Sequence, residues 1–128
     1  MRLLWSVLIF AMGSSAALAQ SLPQGVFSVA FSESGCSSYG DGRLEISGNT
    51  VTFYESQCLL APGRPLSELP NGYLYSASCS GEGEQYQREL VILPGWDGGI
   101  EIIFMPNEYA DHYSSVGYMR CEPAGSSK

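Results

Sequence analysis

The 128-residue chain has one histidine, His112, and six basic side chains against thirteen acidic ones. A single histidine excludes any zinc site that needs two, and leaves one possible base for Ser–His or Cys–His catalysis. So few Lys and Arg argue against a phosphate-binding surface, because those side chains supply most nucleic-acid affinity. There is no C-x-x-C pair, which disfavours both a thiolate metal site and a dithiol redox centre. A G-x-S-x-G nucleophile elbow is also missing. None of Asn49, Asn71 and Asn107 begins an N-x-Ser/Thr sequon, which favours a bacterial periplasm over a eukaryotic secretory route. Beyond the first dozen residues no apolar run approaches the 20 or so needed to span a bilayer.

That first run reads as a secretory signal peptide over residues 1–19. Arg2 supplies the positive start, Leu3 to Met12 the apolar stretch, and Ala17 and Ala19 the small residues before a cut at Gln20. Gln20 is not a cysteine, so a lipid anchor is not expected. Residues 20–128 then form one domain with a mobile C-terminal tail, and the expected location is the periplasm, with secretion as the alternative. Without Arg2, thirteen acids face five bases over 109 residues, a side-chain charge of −8. Such a charge favours basic partners and repels anionic membrane surfaces.

All four cysteines, Cys36, Cys58, Cys79 and Cys121, lie in this domain, and an even number in an exported chain implies disulfides. Three pairings are open. Topology favours Cys58–Cys79, because Pro70-Asn71-Gly72 between them reads as a turn joining antiparallel strands. Cys36–Cys121 would then tie an early segment to the last strand.

The domain consists of short alternating runs punctuated by Gly, Pro, Asn and Asp. Strands are expected over 25–31, 43–46, 50–54, 73–80, 85–93, 100–105 and 116–121, with an edge or interrupted strand over 59–69, where Pro62 and Pro65 cannot donate to a ladder. Ser47-Gly48-Asn49 and Asp97-Gly98 read as hairpin turns. The expected fold is all-β: a small, mostly antiparallel β-barrel of seven or eight strands with two disulfides, a β-sandwich being the alternative. Phe53, Tyr75, Leu90, Ile102 and Phe104 are the expected interior.

Three segments, Phe53-Tyr54-Glu55-Ser56-Gln57-Cys58, Cys79-Ser80-Gly81-Glu82-Gly83-Glu84 and Tyr118-Met119-Arg120-Cys121, carry a resemblance. Together they resemble a group of small exported bacterial proteins with this cysteine arrangement and no assigned activity. The resemblance implies a stand-alone, disulfide-linked periplasmic β domain, and it supplies no catalytic residue.

The residues offer few sites for chemistry. Glu82 and Glu84 are two carboxylates toward a cation site that would need about six to eight oxygens for calcium, so a solvated hairpin is the simpler reading. Neither a metal nor a cofactor is expected. His112 has Asp111 and Glu108 nearby as possible orienters, yet adjacent residues rarely form a triad, and a surface histidine fits better. Acid pairs suited to glycoside hydrolysis are unavoidable among thirteen carboxylates, but so short a chain leaves little room for a sugar cleft. The polar segments hold Trp96, Asp97, Tyr109, Asp111 and Tyr113, aromatics beside acids that suit protein recognition. The leading expectation is therefore a non-enzymatic, inhibitor-like or accessory protein that binds a basic periplasmic or extracellular partner. A carrier of a small apolar ligand in the barrel lumen is the alternative, and a hydrolase the third.

Overall fold

A computed structural model describes residues 22–29, 36–37, 40–108 and 110–121. The expected leader 1–19, the tail 122–128 and Tyr109 lie outside the described residues.

Nine strands occur in chain order: β1 Gly25–Val29, β2 Arg43–Ser47, β3 Thr50–Thr52, β4 Ser56–Leu60, β5 Arg64–Pro65, β6 Tyr73–Gly81, β7 Glu84–Pro94, β8 Ile100–Phe104 and β9 Ser114–Arg120. Each ladder is antiparallel. Eight strands close in the order β1-β2-β3-β4-β6-β7-β8-β9, with β9 returning to β1 through the pairs Phe27–Arg120, Ser28–Met119 and Val29–Tyr118. The molecule is thus an up-and-down barrel with one extra strand, rather than a sandwich, and closure leaves no long free edge.

The expected interruption at Pro62 sits where β4 passes into β5. Both strands run along the same edge of β6: Leu60 pairs with Ala77 and Arg64 with Leu74, so residues 61–63 face only 75 and 76. This one-residue excess is a bulge. Gly63 fits there because a Cβ would lie 2.4 Å from the Tyr75 ring. The expected start of this strand at Leu59 falls short, since β4 begins at Ser56. Ser56 and Gln57 are polar and give little strand signal, yet Gln57 pairs on both sides, with Thr52 and Ser80.

Alternation fills the interior. Phe27, Leu44, Val51, Leu90 and Ile102 are fully buried, with Ile46, Leu60, Tyr75, Ala77, Ile92 and Ile100 beside them. Burying each large apolar side chain contributes roughly 1.5–3 kcal/mol. Phe53 and Phe104, expected inside, are half-buried because they close one mouth of the barrel. Phe53 directly follows β3 and Phe104 ends β8, on opposite walls, and the two rings meet at 5.9 Å between centroids. The Arg88 guanidinium lies 4.2 Å over the Phe104 ring. At the other mouth Arg120 stacks 4.7 Å over Phe27, and its Nη1 donates to the Gln24 carbonyl at 2.7 Å.

Both expected disulfides are present. Cys58–Cys79 joins directly paired residues of β4 and β6, and Cys36–Cys121 links the β1–β2 connection to the end of β9. Such bonds fit an oxidising, exported environment. Among the described residues, no helix is long and apolar enough to cross a membrane.

Two tight turns take left-handed backbone at two successive residues. Asp97-Gly98 forms one, with the Gly99 N–H donating to the Trp96 carbonyl at 2.8 Å. Glu82-Gly83 forms the other between β6 and β7, with φ of 51° and 78°. Mirror-image turns of this kind prefer Asn at the first position, because a longer side chain pays a steric penalty at positive φ. Glu82→Asn is therefore expected to stabilise the fold by about 0.5–1 kcal/mol. A rise in the urea midpoint at unchanged slope is the readout.

Candidate functional site

Consecutive hairpins of a meander lie at opposite ends, and this divides the aromatic and acidic residues singled out above. The β7–β8 turn puts Trp96 and Asp97 at one end, with Gly48–Asn49 of the β2–β3 turn and the β4–β6 connection. The β8–β9 loop puts Asp111 and Tyr113 at the other, with the β3–β4 and β6–β7 turns. The five residues grouped as one contact set by composition therefore do not form one surface. Tyr109 of the same loop lies outside the described residues.

Trp96 is 90% exposed, so it does not fold back over the barrel mouth. Its backbone is nonetheless fixed, by the Asp97-Gly98 turn, by a Gly95 N–H to Gly99 carbonyl bond of 3.0 Å and by Arg120 Nε donating to the Gly98 carbonyl at 3.4 Å.

The Tyr113 end gathers the acids. Asp41, Glu55, Glu82, Glu84, Glu108 and Asp111 flank its connections, whereas only Glu68 and Asp97 do so at the Trp96 end among the described residues. Two exposed tyrosines stand in this field: Tyr54 on the β3–β4 turn and Tyr113 on the β8–β9 loop, 57% and 66% exposed. Between the β3–β4 and β6–β7 turns runs an open groove of about 550 Å³, lined by Tyr54, Glu55, Gln57, Ser80, Glu84 and Gln85 among others.

Glu82 of the β6–β7 turn interacts with Glu55 of the β3–β4 turn, a pairing that composition and spacing did not indicate. A hydrogen bond from one carboxyl to the other, reinforced by like-charge repulsion, holds Glu55 above the ordinary carboxylate range. Because the folded value is raised, the stability this pair contributes is present in acid and lost as pH rises through Glu55's folded value. Glu82→Gln is expected to bring the Glu55 titration back down into the ordinary range, followed by carboxyl-carbon NMR. An unmoved Glu55 would show that the two groups do not interact.

Glu84 lines the groove, but no group of three or more His, Cys, Asp or Glu side chains that could hold a metal ion occurs among the described residues. His112 Nδ1 lies 3.5 Å from Asp111 on an open loop, both side chains being largely exposed, and all four cysteines are in disulfides. The chain matches no protein-family model, no curated protein and no solved structure.

Proposed function

We propose that this is an exported, non-enzymatic β-barrel of the periplasm, carrying a cleavable leader over residues 1–19, that binds a basic protein as an inhibitor or envelope accessory factor. The observation that carries the reading is the concentration at one barrel end of two exposed tyrosines and six carboxylates. Exposed tyrosine provides large contact area at low entropic cost, and an excess of acids over the nearby Arg43 and Arg88 steers a positively charged partner. Tyr54, Glu55, Glu82, Glu84, Asp111 and Tyr113 form the contact surface. Trp96 and Asp97, at the far end, stand outside it. A carrier using the lumen is less well supported, because Phe27, Leu44, Val51, Leu90 and Ile102 occupy the middle of the barrel.

Photocrosslinking residues placed singly at Tyr54, Tyr113 and Trp96, in protein exported by its own cell, test this. Adducts with a basic protein are expected from the first two positions and are expected to fade when salt is raised to about 0.5 M. Replacing Tyr54 and Tyr113 together by Ala is then expected to weaken binding of the captured partner by 10-fold or more, measured by calorimetry. Crosslinks confined to Trp96 would move the surface to the other end. Salt-resistant capture of an acidic partner would overturn the charge argument.

A further inference from the structure

At the Trp96 end lies a hollow of about 330 Å³ that takes no part in the acidic surface. Its walls are mostly apolar: Tyr73 and Tyr75 from β6, Ile92 from β7, Ile100 from β8, with Pro23 and Pro94 at the rim. The volume falls at the small end of the range for ligand pockets, enough for one ring or a short chain. Gly98 and Gly99 of the β7–β8 turn form one side. That side packs closely on β9, since a Cβ at Gly99 would lie 2.3 Å from the Tyr118 carbonyl oxygen.

Tyr75, which lines the hollow, has a hydroxyl without a protein partner. Tyr75 is 4% exposed, and no hydrogen bond to its hydroxyl exists among the described residues. The single fully buried side-chain polar atom lacking a partner there is Arg88 Nε, so the Tyr75 oxygen is reached by solvent and belongs to what little of that residue remains accessible. Gly63 packs against the ring edge, where a Cβ would lie 2.4 Å from a ring carbon. Tyr73, two residues earlier on the same face of β6, brings a second phenol to the same wall. A phenol that bonds to no protein group is free to donate, and a ligand oxygen that accepts from it beside apolar walls does so with little competition from water. No acidic side chain lines the hollow, so an acceptor oxygen meets no carboxylate there.

We infer that the hollow is a binding site for a small apolar molecule bearing one oxygen acceptor, its ring or chain seated on Ile92 and Ile100 and its oxygen accepting from the Tyr75 hydroxyl. It is separate from the acidic end in position and chemistry, and it lies at a mouth of the barrel rather than in the filled lumen.

The test is a titration of the disulfide-intact, isotope-labelled protein with acetophenone, and in parallel with ethylbenzene, which has no acceptor oxygen, followed by two-dimensional NMR. Acetophenone is expected to give saturable shifts confined to residues around the hollow, with ethylbenzene binding more weakly. Tyr75→Phe, which removes only the hydroxyl, is expected to weaken acetophenone about fivefold and leave ethylbenzene unchanged. Pro94→Trp, at the exposed rim and on the same face of β7 as Ile92, is expected to fill the hollow and abolish both titrations while the remaining amide spectrum stays native. Absence of saturable shifts in the wild type would overturn the site. Equal binding of the two probes, or acetophenone affinity indifferent to Tyr75→Phe, would overturn the acceptor chemistry.

Discussion

Replacing Cys36 and Cys121 by Ser is expected to lower the unfolding free energy by about 4.5 kcal/mol, and replacing Cys58 and Cys79 by Ala by about 3 kcal/mol. The difference comes from loop length in the denatured chain. The first bond closes a separation of 85 residues and the second one of 21, so the first removes more of the denatured chain's freedom. It also acts at the closure of the barrel, where β9 meets β1 over three registered pairs. Cys121 donates its N–H to the Val26 carbonyl at 2.8 Å just beyond that ladder. With both bonds gone the combined loss of about 8 kcal/mol is comparable to the whole stability of a typical domain, about 5–15 kcal/mol. The reduced protein is therefore expected to be largely unfolded at 37 °C. Urea unfolding of the two paired variants, with the oxidised and reduced wild type, measures all of these. A smaller loss for the 85-residue bond than for the 21-residue one would show that the chain-entropy argument fails here.

Phe27→Ala is expected to cost about 4 kcal/mol, the largest effect of any single substitution proposed here. Phe27 is completely buried and belongs to β1, which pairs with β2 on one side and β9 on the other. Its removal leaves a cavity between Leu44 of the facing strand and the rest of the core. It also takes away the ring beneath the Arg120 guanidinium, whose contacts with Gln24 and Gly98 plug the Trp96 end. For a domain of this size such a loss corresponds to a fall in Tm of roughly 15–20 °C. Phe53→Ala, at a half-buried ring of the opposite mouth, is expected to cost clearly less, since less surface leaves water there. Thermal unfolding followed by circular dichroism ranks the two. Equal falls would mean that the Phe53–Phe104 contact is as central as the buried core.

Much of this architecture can be read along the chain. Alternation at Leu44, Ile46, Val51 and Phe53 places one face of the β2–β3 hairpin inward, and Asp97-Gly98 marks the β7–β8 turn by the residue types that tolerate positive φ. Pro70-Asn71-Gly72 brings Cys58 and Cys79 to neighbouring strands, and the remaining cysteine pair follows. Even the separation of Trp96 from Tyr113 is implicit, because two consecutive hairpins of a meander must point to opposite ends. Grouping those residues by composition overlooks that parity. The start of β4 was less legible, since Ser56 and Gln57 carry no apolar signal and are held in place by ladders on both sides.

The sequence by itself determined which residues face inward, that one cysteine pairing is favoured over two others and that the chain is acidic, because each of these follows from local period, turn chemistry or composition. Tertiary structure alone decided that the sheet closes into a barrel, that Phe53 and Phe104 meet across one mouth, that Glu55 comes to Glu82 and that Tyr73 and Tyr75 line an apolar hollow. A period of two fixes the face on which a side chain stands, but not the residue it meets across the barrel. That second choice is set by register, strand tilt and closure, which act on all eight strands at once.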